Sequence, residues 1–194
     1  MKKLFVPTLF VLGVAASSAV QAAPAGQTFV GPSVGLNLAT NKGTGSEVSF
    51  KRFTSLNLIG DYGFDYGHDF VGLPYASIKL FGDKLGRSDT LNISNSSGTE
   101  IKQRDHYTLG YAQGYRITPN LLAFGKLNYN YSEIKFENLN NDKRNFKGFG
   151  YGAGVRYALD SDIELGVEYI RSNLKHGDDK LKLNTFDFSV SYRF

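Results

Sequence analysis

The sequence predicts an all-β chain: an eight-stranded antiparallel up-and-down transmembrane β-barrel, preceded by a cleaved signal peptide. Three observations predict it. In the closing stretch Asn184 to Phe194, apolar and aromatic residues (Phe186, Phe188, Val190, Tyr192, Phe194) alternate with Thr185, Asp187, Ser189, Ser191 and Arg193. Period two makes one face of a strand greasy and the other polar, as lipid outside and a polar interior require. Next, the chain is aromatic-rich (14% Phe and Tyr, no Trp) yet has a negative mean hydropathy of −0.26. A barrel reconciles the two, because only every second residue meets lipid. Finally, longer loops alternate with short turns along the chain.

Met1 to Ala22 reads as a signal peptide. Lys2 and Lys3 form the positive region, Leu4 to Ala16 the apolar run, and Val20-Gln21-Ala22 the small-residue cleavage site. The run is shorter than the ~20 residues a membrane helix needs. Residues 23–194 form one barrel domain. There is no Cys, which excludes disulfides, thiolate metal sites and a lipidated N-terminus. The formal charge is +4, and about +2 once Lys2 and Lys3 leave, which is too weak for a nucleic-acid binder.

The eight strands follow in order. The first covers 28–40, with Val34, Leu36 and Leu38 on one face. After KGTGSE (42–47), the second covers 48–62 and sets Val48, Phe50, Leu56, Leu58 and Tyr62 against Lys51, Ser55, Asn57 and Asp61. DYGHD (65–69) is a tight connection. The third, 70–81, carries Ala76, Ile78 and Leu80 opposite Ser77 and Lys79, with Pro74 interrupting the ladder. A polar segment, 83–103, precedes the fourth strand, 104–117, where Tyr107, Leu109, Tyr111, Tyr115 and Ile117 oppose Thr108, Gly110, Ala112, Gly114 and Arg116. Thr118-Pro119-Asn120 turns into the fifth, 121–132, whose inner side is Phe124, Lys126, Asn128, Asn130 and Ser132. A loop at 138–145 leads to the sixth, 146–159, where aromatics alternate with glycines. The turn 160–162 leads to the seventh, 163–172, and HGDDK (176–180) to the closing strand. An even count lets the last strand pair with the first and removes the open edge.

With the apolar faces on lipid, the interior receives Lys51, Asp61, Lys79, Arg116, Lys126, Arg156, Glu164, Glu168, Asp187 and Arg193. Buried charges must pair or stay hydrated. Lys51, Arg116, Lys126, Arg156, Glu164, Glu168, Asp187 and Arg193 are therefore expected to form an interior ionic cluster, with Arg156 and Glu164 paired across the 160–162 turn. Gly148, Gly150, Gly152 and Gly154 point inward and leave room for Phe124 and Lys126. Tyr62, Tyr107, Tyr115, Tyr157 and Tyr192 belong near the membrane interfaces.

Other motifs have bland readings. The GxGxG string at 148–152 lacks the tight turn and helix of a nucleotide site. His68, His106 and His176 lack metal-ligand spacing, so no metal and no cofactor is expected. The loop bases Lys84, Arg87, Lys102, Lys143, Arg144, Lys175, Lys180 and Lys182 fit either ordinary solvated loops or contact with lipopolysaccharide phosphates or acidic host polymers.

GYAQGYRIT (110–118), FGYGAGVRY (149–157), ELGVEY (164–169) and the closing SYRF (191–194) together resemble the small eight-stranded outer-membrane barrels of the outer membrane protein X, Ail and opacity type. The likeness covers nearly the whole mature chain. It implies a monomer in the outer membrane with extracellular loops, lipids and lipopolysaccharide as its surroundings, and a host surface ligand reached through the loops. It also implies that Phe188, Val190, Tyr192 and Phe194 act as the signal read by the barrel-assembly machinery. The expected function is a non-enzymatic structural or adhesion protein. A narrow porin-like channel is the alternative, disfavoured because eight strands leave little lumen. A lipid A-modifying enzyme is the third reading. His106 and Thr108 are similar to the His-x-hydroxyl pair of lipid A deacylase barrels, but Thr stands for Ser and no acidic orienter accompanies it.

Overall fold

The structure, a computed structural model, describes residues 28–45, 52–81, 84–88, 99–136, 143–159, 162–177 and 179–194. Among these residues are nine strands: β1 (Gly31–Gly45), β2 (Phe53–Gly67), β3 (Phe70–Phe81), β4 (Lys84–Ser88), β5 (Thr99–Thr118), β6 (Leu121–Phe136), β7 (Lys143–Ala158), β8 (Ile163–His176) and β9 (Asp179–Arg193). Eight of them close a ring of antiparallel neighbours, β3-β2-β1-β9-β8-β7-β6-β5, sealed by the β3–β5 pairing. The short β4 adds to β5 beyond the end of the β3–β5 ladder. The expected eight-stranded barrel is therefore present, and the closing strand pairs with the first from Ser33↔Arg193 to Gly45↔Leu181.

Strand bounds differ from expectation chiefly at one end of the barrel. β1, β8 and β9 run further into the expected loops, and β7 begins at Lys143 instead of Phe146. The polar segment 83–103 supplies β4 and the start of β5. The second strand begins at Phe53, so its expected members Val48, Phe50 and Lys51 lie outside the described residues, as does the signal peptide. At the other end the connections are short. The β2–β3 link is the pair His68-Asp69, both with positive φ (53° and 65°), the backbone of a type I′ hairpin turn.

The outer face carries the apolar band. Leu109, Leu127, Phe149, Tyr169, Phe186 and Phe188 are all exposed, which only hydrocarbon makes tolerable. The five tyrosines expected at interfaces point outward. Tyr62, Tyr115, Tyr157 and Tyr192 lie toward the short-turn end, and Tyr107 stacks near Tyr131 toward the loop end.

Inside, the molecule is layered. Phe29, Val71, Leu73, Ala112, Leu122, Phe124 and Ala158 pack at the short-turn end, and Phe53, Phe146, Leu174, Leu181 and Leu183 at the loop end. Charges and amides fill the space between. Phe124 and Ala112, expected on the inner face, join the short-turn plug; the other members extend the apolar packing to both ends of an interior expected to be mainly charged. Beyond the bilayer the outer face meets water instead of lipid, so the strand pattern reverses: Leu181 and Leu183 turn in, while Lys180 and Lys182 turn out.

Candidate functional site

Chain closure builds the charged centre of the barrel. Ser33 on β1 stands in register with Asp61 on β2 and with Arg193 on β9. Its small side chain lets Arg193 reach across it. Arg193 Nη2 donates to Asp61 Oδ1 at 2.9 Å, Nη1 to the Gly31 carbonyl at 2.6 Å, and Nε to Glu164 Oε1 at 2.5 Å. From the opposite wall, Arg156 Nη1 donates to Asp61 Oδ2 at 2.6 Å and lies 3.4 Å from Glu164 Oε2. Two guanidinium groups and two carboxylates thus form a charge-balanced quartet, each side chain under one-tenth exposed. Multiple charge-assisted bonds are what make such burial tolerable. Asp61 is the hub that strand-by-strand reading leaves out of the cluster. It meets Arg193 only once the barrel is closed, through the Ser33 register.

A second buried group lies further toward the loop end. Glu168 and Asp187 face each other directly on β8 and β9, an arrangement of like charges that is costly without a counter-charge. Lys126 supplies one, with Nζ 2.8 Å and 2.7 Å from the two Glu168 oxygens and 4.1 Å from the Tyr75 ring centroid. Asp187 Oδ2 accepts from Asn37, which in turn accepts from Asn57. Lys126 reaches Glu168 over glycines. A Cβ on Gly154 would sit 2.6 Å from Glu168 Cβ and 2.7 Å from Phe124 Cζ, so only a bare backbone leaves room there.

Arg116 does not join either group. Near the end of β5, it pairs with Asp65 (Nη1 to Oδ2, 2.9 Å) and donates to the Thr28 carbonyl at the short-turn rim. Buried Leu122 stands in register between Arg116 and Arg156, which separates the rim pair from the quartet. Phe188, Val190, Tyr192 and Phe194 all lie on the outer face of the closing strand, 44–46% exposed.

The interior offers little catalytic geometry. His106 Nε2 is 3.2 Å from Thr108 Oγ1, and that hydroxyl donates to Asn130 at 2.9 Å. The hydroxyl is thus engaged by an amide, and the pair lines a small polar cavity of about 50 Å³ together with Asn57, Tyr75, Lys126 and Asp187. Among the described residues, no cluster of three or more His, Asp or Glu has the arrangement of a metal site.

This closed eight-stranded ring has solved counterparts in fold. The chain is similar to Ail, the attachment invasion locus protein of Yersinia pestis, at 18% identity and a TM-score of 0.60 over 84% of this chain and 97% of that one. It is also similar to Neisserial surface protein A, at 15% identity and a TM-score of 0.59 over 84% of this chain and 97% of the other. OprG, an outer membrane protein of Pseudomonas aeruginosa, matches at 13% identity and a TM-score of 0.52 over 87% of this chain and 98% of its own. No curated protein sequence matches significantly. At these identities the structural likenesses speak for the fold. The sequence itself matches the family described as the outer membrane protein beta-barrel domain over residues 9–194. That match spans every strand of the closed ring, and the chain belongs to this family of multi-pass outer-membrane barrels.

Proposed function

We propose that the protein is a non-enzymatic, monomeric barrel whose rigid wall holds surface loops at the outer face of the membrane for structural or adhesive contact. The carrying observation is the filled interior: among the described residues two apolar plugs flank ion-paired layers, and the polar cavity beside them is about 50 Å³, room for a few waters. A rigid plug favours display over transport. The Thr108 hydroxyl bound to Asn130, inside the wall, likewise argues against a hydrolytic role.

Ail, a similar fold, has been solved with the heparin analogue sucrose octasulfate, and that likeness supports a polyanionic surface ligand for this chain too. Outer-membrane lipids, lipopolysaccharide included, surround the apolar band, and the outer-facing residues Phe188, Val190, Tyr192 and Phe194 serve as the signal for the barrel-assembly machinery. The test compares wild type with a variant shortened within residues 83–103, in pull-down and cell-adhesion assays. Adhesion lost with the loop supports the reading, and adhesion equal in both proteins sinks its adhesive form. Conductance in planar bilayers addresses the channel alternative: large, stable openings of the folded protein would overturn the plugged-barrel reading.

A further inference from the structure

The lining of the small polar cavity holds one negative charge too many. The quartet at the short-turn end is neutral in itself. The group beyond it is not: Glu168 and Asp187 stand opposite each other on β8 and β9, and Lys126 answers only one of them. Two bonds of the ammonium go to the Glu168 oxygens, and its free side lies over the Tyr75 ring. All four residues line the cavity, and Lys79, beside Asn57 in the β2–β3 register, does not. A buried carboxylate without a counter-charge is costly.

Three acceptors on the same lining also lack a donor. Asp187 Oδ2 accepts from Asn37, which turns the Asn37 carbonyl toward the Asn57 amide nitrogen. Asn57 Oδ1 is thereby fixed as an acceptor, and neither it nor Asp187 Oδ1 has a partner. Asn57 is 6% exposed and Asp187 3%, so both oxygens are shut off from bulk water. The third is His106 Nδ1. Asn130 spends its amide nitrogen on Asn128 and Ser172, so its oxygen takes the Thr108 proton. Thr108 must then accept from His106 Nε2, and in the neutral ring Nδ1 is left as a bare acceptor. Water alone would satisfy the acceptors and leave the charge. A cation with its own water answers both, and the cavity of about 50 Å³ has room for them. Carboxylate and amide oxygens suit a hard alkali ion and not a transition metal.

We propose that this cavity binds one monovalent cation, Na⁺ or K⁺, held by Asp187 Oδ1 and Asn57 Oδ1, with an ion-bound water donating to His106 Nδ1. The ion completes the charge balance of the barrel centre. The site is independent of what the loops bind, because its ligands lie on β2 and β9, and the barrel must close to bring them together.

The test refolds the protein in detergent micelles in sodium, potassium or choline chloride at equal ionic strength and about pH 8, where an imidazole is neutral. Urea titration is expected to show a more stable barrel in sodium or potassium than in choline. The unfolding constant should fall about tenfold for each tenfold rise of the bound cation above its Kd. Asp187→Asn should fold, because it relieves two facing carboxylates, and should lose the cation dependence; Asp69→Asn, in the exposed β2–β3 turn, should keep it. In wild type, the carboxyl carbon of Asp187 should shift in NMR spectra between sodium and choline. Equal stability in all three salts, which needs no variant, would overturn the proposal. If that shared stability falls between about pH 6 and pH 9, a proton on the carboxylate pair takes the place of the ion; if it is flat, water does. An unmoved Asp187 carbon, or cation dependence kept by Asp187→Asn, would put the ion elsewhere and overturn the site.

Discussion

Replacing Glu164 by Gln isolates what the buried quartet contributes, because the substitution keeps the volume and removes one charge. In wild type the group is neutral, with Asp61 and Glu164 against Arg156 and Arg193. After the change it carries one unmatched positive charge at a site where Glu164 is 1% exposed. Two charge-assisted bonds from Arg193, at 2.5 Å and 3.1 Å, are lost or turned donor against donor. Each is worth roughly 1.5–3 kcal/mol, and breaking a buried pair typically costs 3–5 kcal/mol. Because Arg156 and Arg193 both keep Asp61, the lower half applies, and we expect a loss of about 3 kcal/mol. The complementary change, Arg193→Met, leaves the group one charge negative, and combining the two restores neutrality around Arg156 and Asp61. The double variant should therefore be more stable than the sum of the singles by about 2 kcal/mol. Urea titrations in detergent micelles, read by the gel-mobility difference between folded and unfolded barrel, give the four free energies of the cycle. A single-variant cost below about 1 kcal/mol, with the cycle additive to within about 0.5 kcal/mol, would mean that water screens the quartet and that the sealed-interior argument fails.

Three further outcomes follow from the same geometry. Gly154→Val should prevent correct folding or cost several kcal/mol, since its side chain meets Phe124 and Glu168. Gly125→Val, whose Cβ would point outward with nothing within 4 Å, should be tolerated, and equal behaviour of the two in a refolding assay would contradict the inward and outward assignment. Leu174→Ala in the loop-end plug, at 1% exposure, should destabilise the barrel by about 2–5 kcal/mol, and a loss under 1 kcal/mol by urea titration would mean that this end is not packed. Phe194→Ala should change refolding stability in vitro by less than about 1 kcal/mol, since its ring faces outward, while lowering the folded fraction recovered from cells several-fold; unchanged recovery from cells would remove its role as an assembly signal.

Where the outer face meets hydrocarbon, the pattern was legible residue by residue. Phe186, Phe188, Val190 and Tyr192 stand out against Asp187 and Arg193 because lipid and a charged interior impose opposite demands on neighbouring positions. Leu181 and Leu183 were not legible in the same way. They share the inner face of Asp187 and Arg193, and their outward neighbours Lys180 and Lys182 resemble a loop. The phase of the alternation reverses where the wall leaves the bilayer, so a template tuned to lipid ends the strand at Asn184, five residues short of Asp179. The ionic centre was partly legible. The inner-face charges follow from period two alone, but which of them meet depends on closure and on spacing along the barrel axis. Asp61 joins Arg193 through the register of Ser33, and Arg116 is cut off from Arg156 by Leu122. Neither relation can be read within a single hairpin.

The reversal at the loop end also divides the thermodynamics of the wall. Burying a side chain against lipid tails removes no apolar surface from water relative to a chain already inserted in the bilayer, so the banded middle contributes little to the heat capacity of folding. Phe53, Phe146, Leu174, Leu181 and Leu183 form a core of the water-soluble kind, and dehydrating them carries the heat-capacity change that soluble domains show. Phe29, Val71, Leu73, Leu122 and Phe124 do the same at the short-turn end, so temperature acts differently on the ends of the barrel and on its middle. Cooling weakens both apolar plugs while leaving the ion-paired layers between them largely unaffected, so the rims, the loop-bearing one included, loosen before the centre in the cold.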